Sequence, residues 1–443
     1  MSDTALDTSG RMIKGWNPND PEHWDSKIAW KTLWITTASL TIAFCTWYLV
    51  SAIAPRLNEI GFDLSSGQLY WLAAIPGLAG GLLRLCYMFL PPIVGTRKLV
   101  TITTFIMLLP MVGWYFAIQN PNTSFTVLML LAFATGIGGG AFSGYMPSTG
   151  CFFPKSKSGT ALGIQAGIGN FGVSLIQLAG PWIIGFAMLG TTFLPAQTTV
   201  DGGVMHLHNV AIFLVPWTIL VGILAWTMLK DVPVQANFKE QFDIFSNKNT
   251  WILTLVYLMT FGAFSGFAAQ FALLINNTYG NNSQFAGMEG LPQGVTFAFL
   301  GPLIGSATRV AFGPLCDRFG GALWTFVSGV GMTALTFCAI FFLTPSSPAE
   351  FWPFFWCMMG IFFFAGIGNA GTFKQMPMIL PPRQAGGVIG WTAAIAAFGP
   401  FIVGMFLSVI APVTFFIGCT VFFLICTVLV WIYYARPNAP FPG

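Results

Sequence analysis

The chain has 443 residues, of which 55% are hydrophobic and only 7% charged, with a formal net charge of +4. Soluble proteins carry about 25% charged residues, so the composition excludes a soluble enzyme, and so small a charge calls for no nucleic-acid partner. What remains is a membrane protein with little mass outside the bilayer.

A spanning helix needs about 20 apolar residues. Twelve runs of that kind follow one another, near 30–54, 68–90, 98–118, 125–150, 159–189, 209–229, 250–276, 293–315, 322–344, 352–380, 386–411 and 413–434. They are continuous rather than alternating, which excludes a transmembrane β-barrel. The prediction is an all-α polytopic membrane protein. It divides into an N-terminal segment (1–29), a six-helix half (30–229), a linker (230–249), a second six-helix half (250–434) and a tail (435–443). The N-terminal segment is polar to Lys27 and shows no cleavable signal pattern. With that segment placed inside the cell, fourteen of the eighteen basic residues fall on the inner side and Arg56 alone on the outer. This asymmetry predicts cytoplasmic termini on both ends of a multi-pass protein of the cell inner membrane.

The census leaves Arg84, Arg309 and Lys374 inside the runs, while all fourteen acidic residues fall in termini or loops. The eight cysteines are scattered without a CxxC and read as small core residues. His206 and His208, in the loop after the fifth run, read as part of a solvated loop. No metal site and no cofactor is expected.

The second half echoes the first at an offset of 225 to 230 residues. "GIQAGIGNFG" (163–172) matches "GWTAAIAAFG" (390–399), and "GIGGGAFSGYMP" (136–147) matches "GIGNAGTFKQMP" (366–377). Gly80 precedes Arg84 by four residues, and Gly305 precedes Arg309 by four. Two such halves imply a pseudo-two-fold axis with substrate held between them. The axis relates Arg84 to Arg309 and sets them facing one another. Two guanidinium groups without carboxylates repel each other, and a substrate that brings negative charge removes the conflict. The planar guanidinium fork suits a small oxyanion.

Four further features surround this pair. Gly163, Gly167, Gly169 and Gly390 belong to glycine-rich stretches that let helices approach and slide. Asn170 can donate two hydrogen bonds into a cavity. Tyr257 and Phe261 share a helical face, and with Phe142 they offer rings to a flat ligand. "GPLCDRFGG" (313–321) reads as a charged cytoplasmic turn containing Asp317 and Arg318.

The residues now assembled resemble the nitrate/nitrite porter family of the major facilitator superfamily. The resemblance rests on "GWNPNDPEHW", "LWITTASLTIAFCTWYLVSAI", "FFPKSKSGTALG", and the two glycine-rich segments "GTALGIQAGIGNFGVS" and "AGGVIGWTAAIAAFGPF". It implies a monomeric transporter with the major facilitator fold, in which Arg84 and Arg309 hold nitrate or nitrite. Asn170 and Tyr257 would add hydrogen bonds, and Phe142 and Phe261 would sandwich the planar anion. It also makes Asp317 and Arg318 a conformational gate with state-dependent ion pairs. Gln165 departs from the Asn that close relatives often carry, and the second glycine-rich segment has alanines where relatives often have glycine. Two coupling modes follow: proton symport, which the sequence favours, and nitrate/nitrite exchange. Symport needs a titratable group, for which Lys374 is the candidate, since a lysine facing two arginines would release its proton readily.

Overall fold

The computed structural model describes residues 5–188, 195–233 and 243–443. Among them, twelve helices are long and apolar enough to cross a membrane: α1 (Ser26–Trp47), α2 (Ser66–Tyr87), α3 (Thr96–Ala117), α4 (Phe125–Gly150), α5 (Thr160–Ile183), α6 (Asn209–Met228), α7 (Lys248–Thr278), α8 (Gly294–Phe319), α9 (Gly321–Ile340), α10 (Pro348–Ile379), α11 (Gln384–Val409) and α12 (Pro412–Ala435). In a bilayer every backbone polar group must be satisfied within its own segment, which leaves the helix as the solution for continuous apolar runs. Side chains fix several of the starts. Asp25 accepts from the backbone N–H groups of Lys27 and Ile28, and Ser65 forms a reciprocal capping box with Gln68. Most of the linker expected over 230–249 lies outside the described residues.

The internal repeat is visible in the packing. A β-carbon at Gly136 would lie 2.3 Å from Ala79 Cβ, so α4 presses directly onto α2. At the equivalent place in the second half, a β-carbon at Gly366 would lie 1.9 Å from Thr308 Oγ1, where α10 presses onto α8. Gly95, between α2 and α3, has φ 83°, and Gly320, between α8 and α9, has φ 86°. Only glycine turns there without strain. The loop after α2, degenerate in sequence, thus keeps the turn geometry of its counterpart after α8.

The two halves meet along a seam that is closed at the end of the molecule away from the termini. Gln270 donates to the Tyr70 carbonyl (3.3 Å), Gln177 to the Ala268 carbonyl (2.8 Å) and Tyr48 to the Ser265 carbonyl (2.9 Å), each across the seam. Backbones touch there as well: a β-carbon at Gly77 would lie 2.6 Å from the Phe401 nitrogen. At the termini end, a β-carbon at Gly163 or Gly386 would meet open space.

Two sequence expectations are corrected by the fold. The segment 313–321 is not a turn over its length, because α8 continues to Phe319 and only Gly320 turns the chain. His206 and His208 are buried rather than solvated. A two-stranded hairpin, Gln197–Thr198 paired with Val204–Met205, leads the chain back into α6 and carries both imidazoles inward. Their rings lie 5.6 Å apart, and burial together with His206 pushes the His208 pKa down to about 4.

Candidate functional site

Arg84 lies three residues from the end of α2, fully buried. Its Nε donates to the Gly139 carbonyl (2.8 Å) and its Nη1 to the Ala393 carbonyl (2.7 Å). Gly139 is in the same half, but Ala393 is on α11 in the other, so the second bond crosses the seam. Nη2 has no partner. The guanidinium lies 4.7 Å from the Phe142 ring centroid, 5.2 Å from that of Trp47 and 5.3 Å from that of Phe261. Rings stabilise a cation through their quadrupole without neutralising it.

Arg309, on α8, is also buried, and its Nη1 has no partner. Its guanidinium lies 5.0 Å from the Phe373 ring. Neither arginine is among the ion pairs of the described residues.

Aromatic rings join the two arginines. Phe142 and Phe373 stand edge to face at 6.4 Å, and Tyr257 lies 5.0 Å from Phe373. Tyr257 and Phe261 stack in parallel at 5.4 Å. A π-helical turn over Leu258–Gly262 starts directly after Tyr257, contains Phe261 and shifts the register of α7 there. Such wide turns are frequent at functional sites. Tyr257 lies in the field of both guanidinium groups.

The structure therefore brings together Arg84, Arg309, Phe142, Tyr257 and Phe261. The two phenylalanines expected to flank the anion both contact the Arg84 guanidinium. Asn170 is fully buried on α5, with both amide atoms unpartnered. It stands one turn beyond Gly167, whose missing side chain admits Val310, the neighbour of Arg309; a β-carbon there would lie 2.4 Å from Val310 Cγ2. Gly169 similarly admits Leu40 of α1, at 2.7 Å. Gly390 approaches Met88 of the other half, at 3.2 Å. Gln165 donates to Thr149 Oγ1 (3.0 Å), within its own half.

Lys374 does not face the arginines. It bonds Asp317 and is 39% exposed, and Asp317 is 65% exposed. Its sequence neighbour Phe373 takes the inward position, because adjacent residues on a helix point about 100° apart. Arg318 lies over the Phe319 ring at 5.1 Å and is in none of the ion pairs among the described residues. Sequence reasoning missed Phe373 and Trp47. Forty-five phenylalanines obscure the first, but the spacing Gly366–Asn369–Phe373 marks one face of α10.

These features define a twelve-helix membrane protein made of two repeats, with a positively charged, ring-walled centre on the seam between them. The sequence profile of the Major Facilitator Superfamily matches residues 35–397. The probable nitrate/nitrite antiporter NarK2 of Thermus thermophilus is 54% identical over 442 residues, covering 98% of each chain. The nitrate/nitrite transporter NarU of Escherichia coli (strain K12) is 35% identical over 460 residues, covering 96% of each. Among solved structures, a bacterial homologue of the human lysosomal transporter Spinster, inward-facing and occupied, superposes with a TM-score of 0.67 at 16% identity. That match covers 92% of this chain and 97% of the other and concerns the fold alone. The chain belongs to the major facilitator superfamily and, within it, to the nitrate/nitrite porter family.

Proposed function

We propose that this protein carries nitrate and nitrite across the cell inner membrane by alternating access, exchanging one for the other. The observation that carries the reading is the pair of buried guanidinium groups on the seam with no carboxylate beside them. A planar monovalent oxyanion supplies the missing charge, accepts in the geometry the guanidinium fork offers, and fits a centre walled by flat rings. The relatives' names agree with this substrate class.

Exchange, rather than the proton symport that the sequence favours, is supported by the place of Lys374. Symport needs a group that binds a proton along with the anion, and Lys374 is held at an exposed ion pair away from the arginines. The excess of basic residues at the termini end supports a cytoplasmic position for that end, so the sealed end of the seam faces outward. In this reading the closed outer contacts and the open space beside Gly163 and Gly386 belong to a carrier turned toward the cytoplasm.

Purified protein in proteoliposomes tests this directly. Exchange predicts nitrate uptake that is stimulated by internal nitrite and unmoved by an imposed pH gradient. Uptake driven by the gradient into vesicles without internal anion would replace exchange with symport. Flux without stimulation by anion on the opposite side would indicate a channel.

A further inference from the structure

The second half holds a polar group that neither the charge argument nor the aromatic wall uses. Asn369 of α10 is fully buried, and neither its Nδ2 nor its Oδ1 has a partner. A buried amide with donors and acceptor all unused is rare in folded proteins and needs a reason.

Its place is fixed from both sides along the helix. Gly366, three residues before, is pressed against Gly305 and Thr308 of α8. Phe373, four residues after, sits 5.0 Å from the Arg309 guanidinium. Residues three and four apart share a helical face, so Asn369 stands on the same stripe of α10, between two contacts with the segment that carries Arg309.

The repeat sharpens the comparison. Asn369 is the counterpart of Gly139, just as Arg309 is the counterpart of Arg84. In the first half the Gly139 carbonyl takes Arg84 Nε, and the absent side chain leaves room for the Trp47 ring, which a β-carbon would meet at 2.6 Å. The second half has a carboxamide at this place, on the stripe of α10 whose Phe373 lies against an arginine with an unpartnered Nη1.

We infer that Asn369 is a substrate-contacting residue, whose Nδ2–H donates to an oxygen of the anion held at Arg309 while its Oδ1 accepts from the guanidinium. This uses both unpaired atoms of the amide and the unpaired nitrogen of Arg309 together. A neutral amide adds a donor without cancelling the charge, as an aspartate here would. The inference rests on the nitrate/nitrite reading above and deepens it. It makes recognition two-sided, with Asn170 from the first half and Asn369 from the second.

The test is nitrate binding to the purified full-length protein, read as both dissociation constant and nitrate-induced thermal shift. Asn369→Ala is expected to bind nitrate about tenfold more weakly, the loss of one hydrogen bond to a charged group, with its melting temperature in nitrate-free buffer unchanged. Asn369→Asp, which places a carboxylate beside Arg309, is expected to abolish the nitrate-induced shift. Nitrate affinity within twofold of wild type in Asn369→Ala overturns the assignment. So does a lowered melting temperature with unchanged affinity, which marks a structural role. If the alanine variant does not fold, Asn369→Ser and Asn369→Asp decide: wild-type affinity in either overturns it. A wild-type protein that binds no nitrate would instead remove the substrate reading, leaving Asn369 aside.

Discussion

Arg84 and Arg309 hold equivalent places in the two halves, yet they are held differently. Arg84 donates to two carbonyl oxygens and lies against three rings, and one of its bonds reaches into the other half. Arg309 lies against one ring, and its Nη1 has no partner. The difference teaches that duplication preserved the charge at the centre while letting its support diverge. Arg84 ties the seam with one of its nitrogens, while both arginines keep an unpartnered nitrogen, Nη2 of Arg84 and Nη1 of Arg309.

The largest test of this contrast is replacement of each arginine by lysine. Lysine keeps the charge and loses the planar fork. Either variant should lower nitrate affinity by roughly 100-fold, at about 1.4 kcal/mol per factor of ten. Only Arg84→Lys should also lower the melting temperature, because two carbonyl acceptors lose a buried donor. Equal melting temperatures for both variants would break the contrast.

The second test asks where the halves remain alike. Gly136→Ala and Gly366→Ala each force a methyl into a helix–helix contact, and overpacking of this kind costs about 1–3 kcal/mol. Both should reduce thermal stability to a similar degree. A large effect in one half alone would show that the packing, too, has diverged.

A third feature belongs to the first half only, since His206 and His208 lie there and the remaining histidine, His23, lies in the N-terminal segment. His208 is buried, with its pKa pushed from 6.5 down to about 4 by burial and by His206. The unfolded chain therefore binds a proton between those values that the folded chain does not, and stability is lost as pH falls through that window. Melting between pH 7 and pH 4.5 should show a loss of order 1–2 kcal/mol that His208→Phe diminishes. An unchanged pH dependence in the variant would place the acid sensitivity elsewhere.

The smallest effect is expected at the Asp317–Lys374 pair. Exposed pairs contribute about 0–1 kcal/mol, so Lys374→Met should melt close to wild type and should exchange nitrate for nitrite without any new dependence on a pH gradient. A variant that loses gradient-driven uptake would restore Lys374 as the proton carrier.

What the sequence disclosed follows from what was local. Twelve apolar runs, the repeat, and two arginines without carboxylates are one-dimensional patterns, and each has a direct counterpart in the fold. The expectation that Lys374 faces the arginines failed because Phe373 and Lys374 are adjacent in sequence but about 100° apart on the helix, and only the packing of α10 on α8 decides which turns inward. Asn369 was hidden because its counterpart is Gly139, so the repeat invites attention to shared residues and away from the one that differs. The carbonyls of Gly139 and Ala393 could not be read at all, since every residue has a carbonyl and only tertiary structure selects one. The burial of His206 and His208 depends on a hairpin of two-residue strands, too short to leave a periodic signal.

The bond from Arg84 to the Ala393 carbonyl has a consequence for turnover. An anion that takes the Nη1 hydrogen now given to Ala393 would displace an oxygen the protein itself provides, so that its capture would be a swap of acceptors and not a transfer of a lone charge out of water. The free energy of a swap is a difference between two similar bonds, and small differences are quickly reversed. The same swap unfastens one link between the halves. A single nitrogen atom would thereby link loading to loosening, in a carrier that works as proposed above.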